Sequence, residues 1–357
     1  MIKYNISLFQ FALLLANFMI PASLISLPQV LTQISNQNTW MIPILVFPVF
    51  FLIFFLCLGK NVDPVQHSRL DKAFTVVIGV FLIFVYIRDL RLFIDYVSSY
   101  LLPTTPIEII SIVLTLTLLY VSAAGLEVIA RITVIQFIVL AVVVLVAPIL
   151  VINELDVRNI TPIINNEQMG NLAKSSYLFF PWMGEALISC YLIRFLSKQR
   201  GIKKGVLLGS SLGFLLIFIV IIVDIAVLGE KIMTIATYPT LLMVQEINIT
   251  DFLDRLDLIL VTIWMPTLFS KLALALYCIV HSLFPLKDEG TKLIMTPVSL
   301  FLGILAIILF ESNTMHLEFT FQTWTVIGLL LEILLIGLLI VSRIRKKIGN
   351  KKSDTEY

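Results

Sequence analysis

Phe180-Pro181-Trp182-Met183-Gly184-Glu185 lies inside an apolar run long enough to cross a bilayer, and it holds a proline, a glycine and a carboxylate within six residues. Proline has no amide hydrogen and its ring clashes with the preceding turn, so a helix through Pro181 frees a carbonyl. In hydrocarbon a freed carbonyl is tolerated only where protein or a cavity serves it. A matching stretch stands near the start of the chain: Asn17, then Ile20-Pro21-Ala22-Ser23, then Pro28. Two broken apolar helices in corresponding places predict one central site, with Ile20, Pro21, Ala22 and Ser23 on one side and Met183, Gly184 and Glu185 on the other.

The rest of the composition agrees with a membrane setting. Of 357 residues, 59% are hydrophobic and 13% charged, and the mean hydropathy is +1.02. A soluble domain carries roughly 25% charged residues. A globule of this size has no interior large enough for so much apolar surface, and disordered chains are poor in such residues. Stretches 40–59, 109–126, 132–152, 205–223 and 293–310 are uncharged and about the ~20 residues a span needs. Five more, 7–27, 73–97, 172–196, 256–284 and 319–342, are long enough but carry polar or breaking residues. The expected architecture is therefore an all-α polytopic protein of ten transmembrane helices. Five spans per half force the halves into opposite orientations, an inverted 5+5 repeat over about 6–152 and 172–342 within one membrane domain, followed by a basic tail at 343–357.

Lysine and arginine of short loops stay cytoplasmic. With both termini inside, seventeen of them face inward and four outward. The apolar stretch after the N-terminus is too long for a cleavable signal peptide. Net charge is only +2, which gives no field for nucleic acid, and the basic tail reads as a topogenic signal. Cys57, Cys190 and Cys278 fall in apolar runs and read as small hydrophobes. His67, His281 and His316 are far apart in sequence, no metal-ligand spacing occurs, and no nucleophile–base–orienter pattern is present. Neither an enzyme nor a cofactor or metal is expected.

Ionisable residues inside a bilayer cost at least ~2.5 kcal/mol each and need a reason. Glu185 falls near mid-membrane just past the break, where it either meets a ligand amine or a proton or caps the second half-helix. Glu332 also falls near mid-membrane and is expected to be neutral or paired with a basic residue. Arg88, Asp89, Arg91 and Asp95 cluster in the outer half of the third span and read as an outer gate or a solvated ion network. Asp224 and Glu108 fall at helix ends and read as ordinary interfacial residues. Tyr238 to Ile247 has apolar residues at helical spacing and is expected to lie on the membrane surface as a lid.

Tyr238-Pro239-Thr240, then Phe252-Leu253-Asp254-Arg255-Leu256-Asp257 and Trp264, together with 180–185, resemble the permease-like B-subunit family of bacterial spore germination receptors. That family is a branch of the amino acid–polyamine–organocation superfamily, and the likeness covers nearly the whole chain. It implies a LeuT-like fold, the spore inner membrane, separate A and C subunits as partners, and recognition of a small nutrient such as an amino acid. Arg255 and Asp257 read as structural, at the junction of lid and span. The chain departs from many relatives at Ile20-Pro21-Ala22-Ser23, where they place glycines. In the implied arrangement Lys271 of the eighth span has three readings: a built-in cation serving carbonyls freed near Pro21, a snorkelling side chain, or a partner of Glu332 or Glu185. The alternative function is a secondary amino-acid transporter coupled to protons or sodium.

Overall fold

The computed structural model describes residues 6–57, 69–161, 166–197, 201–246, 256–284 and 288–353. Its first span is α1 (Leu8–Met19) followed directly by α2 (Pro21–Ser35). Ser7 and Gln10 close a reciprocal capping box over the first turn of α1, in which the two side-chain oxygens accept from two backbone amides that otherwise lack acceptors. Next come α3 (Met41–Cys57), α4 (Arg69–Tyr96), α5 (Ile107–Ala123) and α6 (Leu126–Leu150). The sixth span is α7 (Asn166–Gly184), a tight 3-10 turn at Glu185–Leu187, and the short α8 (Ile188–Leu192). The chain continues through α9 (Ile202–Ile235), α10 (Pro239–Gln245), α11 (Leu256–Leu283), α12 (Asp288–Ile308), α13 (Asn313–Glu318) and α14 (Trp324–Ser353).

Among the described residues nine helical stretches are long and apolar enough to cross a membrane, and Ile107–Ala123 is a shorter apolar helix of 17 residues. Burial sorts them. The windows around Leu8–Ile25, Glu167–Phe195 and Val261–Leu283 are 78–83% buried, while those of Leu126–Leu150 and Asn313–Arg345 are 22% buried. The helices that carry the two interruptions and Lys271 therefore form the centre, and the more exposed helices surround them. Inside, α1 packs on α9 and α6, α11 on α4, and α2 on α9 and α7.

The interruptions are milder than full unwinding. Ile20, between α1 and α2, keeps right-handed dihedrals (φ −92°, ψ −54°), and Pro21 occupies the first turn of α2, where its missing amide hydrogen costs nothing. The sixth span tightens rather than opens after Gly184. These two places adjoin, since α1 packs on the Glu185–Leu187 turn and α2 on α7. At the start of α1, Ile6 bridges to Leu196 and so ties the chain start to the end of the sixth span.

Two expectations need correction here. The lid, α10, does not lie on the surface: Pro239, Thr240, Leu241, Met243 and Val244 are buried between α2, α9 and α11. Its apolar face packs on those helices together with Thr240, while Gln245 and Glu246 at its end stay exposed. Asp224 is not interfacial but fully buried within α9. That helix runs on past it to a kink at Gly229 (φ 69°, ψ 167°), where the freed Ala226 carbonyl accepts from the Asp156 amide and the Asn159 side chain.

Candidate functional site

Four charged side chains meet beside the sixth-span turn. Arg88 Nη2 lies 2.5 Å from Glu185 Oε1, and Arg88 Nε donates to Asp89 Oδ1 at 2.8 Å. Lys271 Nζ lies 2.6 Å from Glu185 Oε2 and 2.7 Å from Asp89 Oδ2. Two cations and two anions thus close a ring, built from α4, the turn after α7, and α11. All four side chains are essentially without solvent contact. Each is tolerable because the other three offset its charge, whereas removing one member leaves an uncompensated charge at a cost of about 3–5 kcal/mol.

Aromatic rings hold the ring in place. The Arg88 guanidinium stands over Trp182 at 4.0 Å and Trp324 at 4.9 Å, where the electron-rich ring faces attract a cation. Lys271 stands 5.2 Å over Phe18, so the cluster adjoins the first-span bend. The bend's own polar groups are served by others. Ser23 Oγ donates to the Met19 carbonyl at 2.5 Å, and Trp264 Nε1 donates to the Pro21 carbonyl at 2.7 Å. Asn17 Nδ2 donates to the Thr267 carbonyl and to Ser270 Oγ, both at 3.1 Å.

These contacts decide among the three readings of Lys271. Its ammonium sits on Glu185 and Asp89 rather than on carbonyls near Pro21, and it does not reach water. Glu332 is not its partner. That carboxyl is buried, has no hydrogen-bond partner among the described residues, and rests against the bare Cα of Gly184. Of the two expectations for Glu332, pairing with a basic residue is not met.

The outer part of α4 carries a second buried network in place of a solvated one. Arg91 Nε donates to Asp95 Oδ1 at 2.8 Å, and Arg91 Nη1 donates to the Phe310 carbonyl at 2.7 Å. His316 Nε2 lies 3.0 Å from the Arg88 carbonyl. A carbonyl only accepts, so this nitrogen carries the hydrogen, while Nδ1 lies 3.2 Å from Asp95 Oδ2. Above it Tyr238 stacks edge-on to Tyr96 and Tyr100, with centroids 5.4 and 5.2 Å apart, and Trp264 meets Tyr96 at 5.0 Å.

The structure therefore brings Glu185, Arg88, Asp89 and Lys271 into one cluster, with Ile20–Ser23 and Met183–Gly184 packed and buried beside it. Tyr238, Pro239 and Trp264 roof the first-span bend. Asp257 opens α11, and Arg255 lies outside the described residues. The sequence carries no sign of the parts played by Trp182, Trp324 and His316. Trp182 was on view in the quoted stretch, but nothing in the sequence marks it as an arginine's stacking partner. Among the described residues no group of three or more histidine, cysteine or acidic side chains is arranged to hold a metal.

Comparison with known proteins follows the same lines. Residues 5–315 match the family model described as spore germination protein. Bacillus subtilis YfkT, a chain named for spore germination, is 26% identical over 304 residues, covering 82% of this chain and 83% of its own. Spore germination protein KB of the same organism is 22% identical and covers 88% of each chain; spore germination protein A2 is 23% identical, covering 83% of this chain and 84% of its own. Among solved structures, a substrate-bound, sodium-coupled sialic acid symporter superposes with a TM-score of 0.61 at 12% identity, covering 94% of this chain and 78% of that one. Mhp1, a nucleobase-cation-symport-1 transporter, gives 0.55 at 12% identity, with coverage of 85% and 75%. The fold is that of LeuT-like transporters.

Proposed function

This chain belongs to the spore germination protein family, and on that premise we propose that it is the permease-like subunit of a nutrient receptor in the spore inner membrane. In this reading both termini are cytoplasmic, and separate A and C subunits receive the signal. The ligand is a small nutrient, an amino acid, bound where the first and sixth spans bend.

One observation carries the reading: the ring of Arg88, Asp89, Glu185 and Lys271 ties α4, the sixth span and α11 together through charges that offset one another. A zwitterion carries the same two signs. Its ammonium competes for Glu185 and Asp89, and its carboxylate for Arg88 and Lys271, so exchange keeps every buried charge matched while it loosens the helices from each other. A neutral ligand of equal size has no such exchange to offer. Ligand binding then trades one set of interhelical contacts for another, which is what shifts a conformational equilibrium.

Glu185→Gln keeps the volume of the side chain and removes one anion of the ring. Spores that carry this variant at parental membrane abundance are expected to need at least ten-fold more nutrient for half-maximal germination. An unchanged dose response would exclude a direct role for Glu185. The fold likeness to symporters supports a second reading, in which this chain alone moves an amino acid with protons or sodium. Uptake of labelled amino acid by proteoliposomes holding only this chain would establish it.

A further inference from the structure

Pro28 stands four residues after Leu24 inside α2 and has no amide hydrogen to give, so the Leu24 carbonyl lacks its helical donor. Thr240 of α10 fills the place, with Oγ1 2.8 Å from the Leu24 oxygen. The same Oγ1 lies 2.6 Å from Asp224 Oδ2 on α9. A threonine hydroxyl has one hydrogen, and here it stands between two oxygens. The Leu24 oxygen only accepts. If Thr240 donates to it, the short contact with Asp224 needs a hydrogen from the carboxyl. The opposite arrangement, with Thr240 donating to an ionised Asp224, turns a hydroxyl lone pair on the Leu24 oxygen. It also buries an anion with nothing to offset it.

The surroundings supply no such offset. Asp224 has no exposure, and its Oδ1 has no hydrogen-bond partner among the described residues. Of the elements packed on α9, the helices α1, α2 and α3 and the turn Asn36–Trp40 contain no charged residue. The turn Val157–Ile160 brings Arg158, which is exposed and paired with Asp156. On α6, Glu127 and Arg131 are exposed and paired with each other. On α10 the facing group is Thr240; Glu246 just past its end is exposed, and the Tyr238 ring before it turns to Tyr96 and Tyr100. On α9 itself Lys203 and Lys204 lie at the start, and Glu230 and Lys231 beyond the kink.

We propose that Asp224 is a proton-binding site, and that its proton holds α10 in place as the middle of a chain running from Asp224 through Thr240 to the Leu24 carbonyl. The proton is bound at low pH. As pH rises and the carboxyl ionises, the Asp224 oxygen becomes an acceptor, takes the Thr240 hydrogen, and leaves the Leu24 carbonyl unserved. The helix then loosens from α2 and α9. Loosening also opens the apolar cavity of about 230 Å³ whose wall includes Leu24, Thr240, Met243 and Trp264. Because Trp264 holds the Pro21 carbonyl, the proton state of Asp224 reaches the first-span bend.

The test uses the purified full chain in detergent, with Met243→Cys placed on the buried face of α10 and its maleimide labelling followed by mass spectrometry at that position. Asparagine at 224 imitates the neutral acid, since its amide donates to Thr240 at every pH. Each rate is therefore compared with that of Asp224→Asn at the same pH, which cancels the thiol's own titration. The parent is expected to label at the Asp224→Asn rate at pH 5 and at least ten-fold faster at pH 9.5. Asp224→Ala and Thr240→Val are expected to label ten-fold faster at both. Two results would overturn the proposal: Asp224→Asn labelling as fast as Asp224→Ala at pH 5, or a parent that matches Asp224→Asn up to pH 9.5.

Discussion

A Cβ at position 184 would fall inside the carboxyl group of Glu332. On the next turn of the same contact, a Cβ on Gly328 of α14 would stand 3.0 Å from Pro181. Helix α14 therefore lies against the bend after α7 only because residue 184 has no side chain. Gly184→Ala is expected to lower stability by about 1–3 kcal/mol, the usual scale for overpacking a tight contact, read as a shift of thermal unfolding in detergent. Gly184→Ala with Glu332→Ala is expected to recover most of the loss; equal destabilisation in both variants would count against the contact. Gly184 could be picked out from the sequence because it follows Pro181. Glu332 could be picked out because a mid-membrane carboxyl is costly. Their meeting could not, since a glycine makes room for a neighbour without any residue type or spacing that names the neighbour.

Among the elements, α9 is longer than its apolar run and α10 more buried than its helical periodicity suggests. The apolar pattern located the span inside α9 but carried no mark of the kink at Gly229. Only the Asp156–Asn159 segment, which serves the Ala226 carbonyl, shows why the helix bends there. The dihedrals of Gly229 belong to a region that side-chain-bearing residues rarely occupy, at a cost of about 1–3 kcal/mol. Gly229→Ala is accordingly expected to unfold earlier by that amount, whereas Gly170→Ala, on an open helix surface, should be neutral within about 0.5 kcal/mol. Equal stability of the two variants would remove the kink's significance. For α10 the helical period was correct and its meaning was not. A polar residue on an amphipathic helix faces water or a protein group, and Pro28, which creates the acceptor that Thr240 serves, sits more than two hundred residues away.

At the scale of the whole molecule, the arrangement of apolar helices around charged central ones was legible because hydrocarbon excludes charge so strongly. Each of Arg88, Asp89, Glu185 and Lys271 stands out against its apolar run, so the need of each for a partner is legible, although the sequence groups Arg88 and Asp89 with Arg91 and Asp95 in an outer network and not with Glu185. Which partner each takes is not legible, because three helices far apart in the chain must first come together. The ring predicts non-additive energetics. Lys271→Met and Glu185→Gln should each destabilise the folded chain by about 3–5 kcal/mol, and the double variant should cost less than their sum by about 0.5–3 kcal/mol, as measured by chemical unfolding in detergent. Strict additivity would mean that the two side chains do not share one ion pair.

The same ring has an electrical consequence. Carrying one elementary charge across a membrane polarised by 100 mV involves about 2.3 kcal/mol of work. Arg88 and Lys271 cancel Asp89 and Glu185, so sliding the ring along the membrane normal with its helices transfers no net charge through the field. A conformational change that moves this centre as one unit proceeds equally well across polarised and depolarised bilayers, whereas one that slides α11 past the sixth span carries the charge of Lys271 through the field.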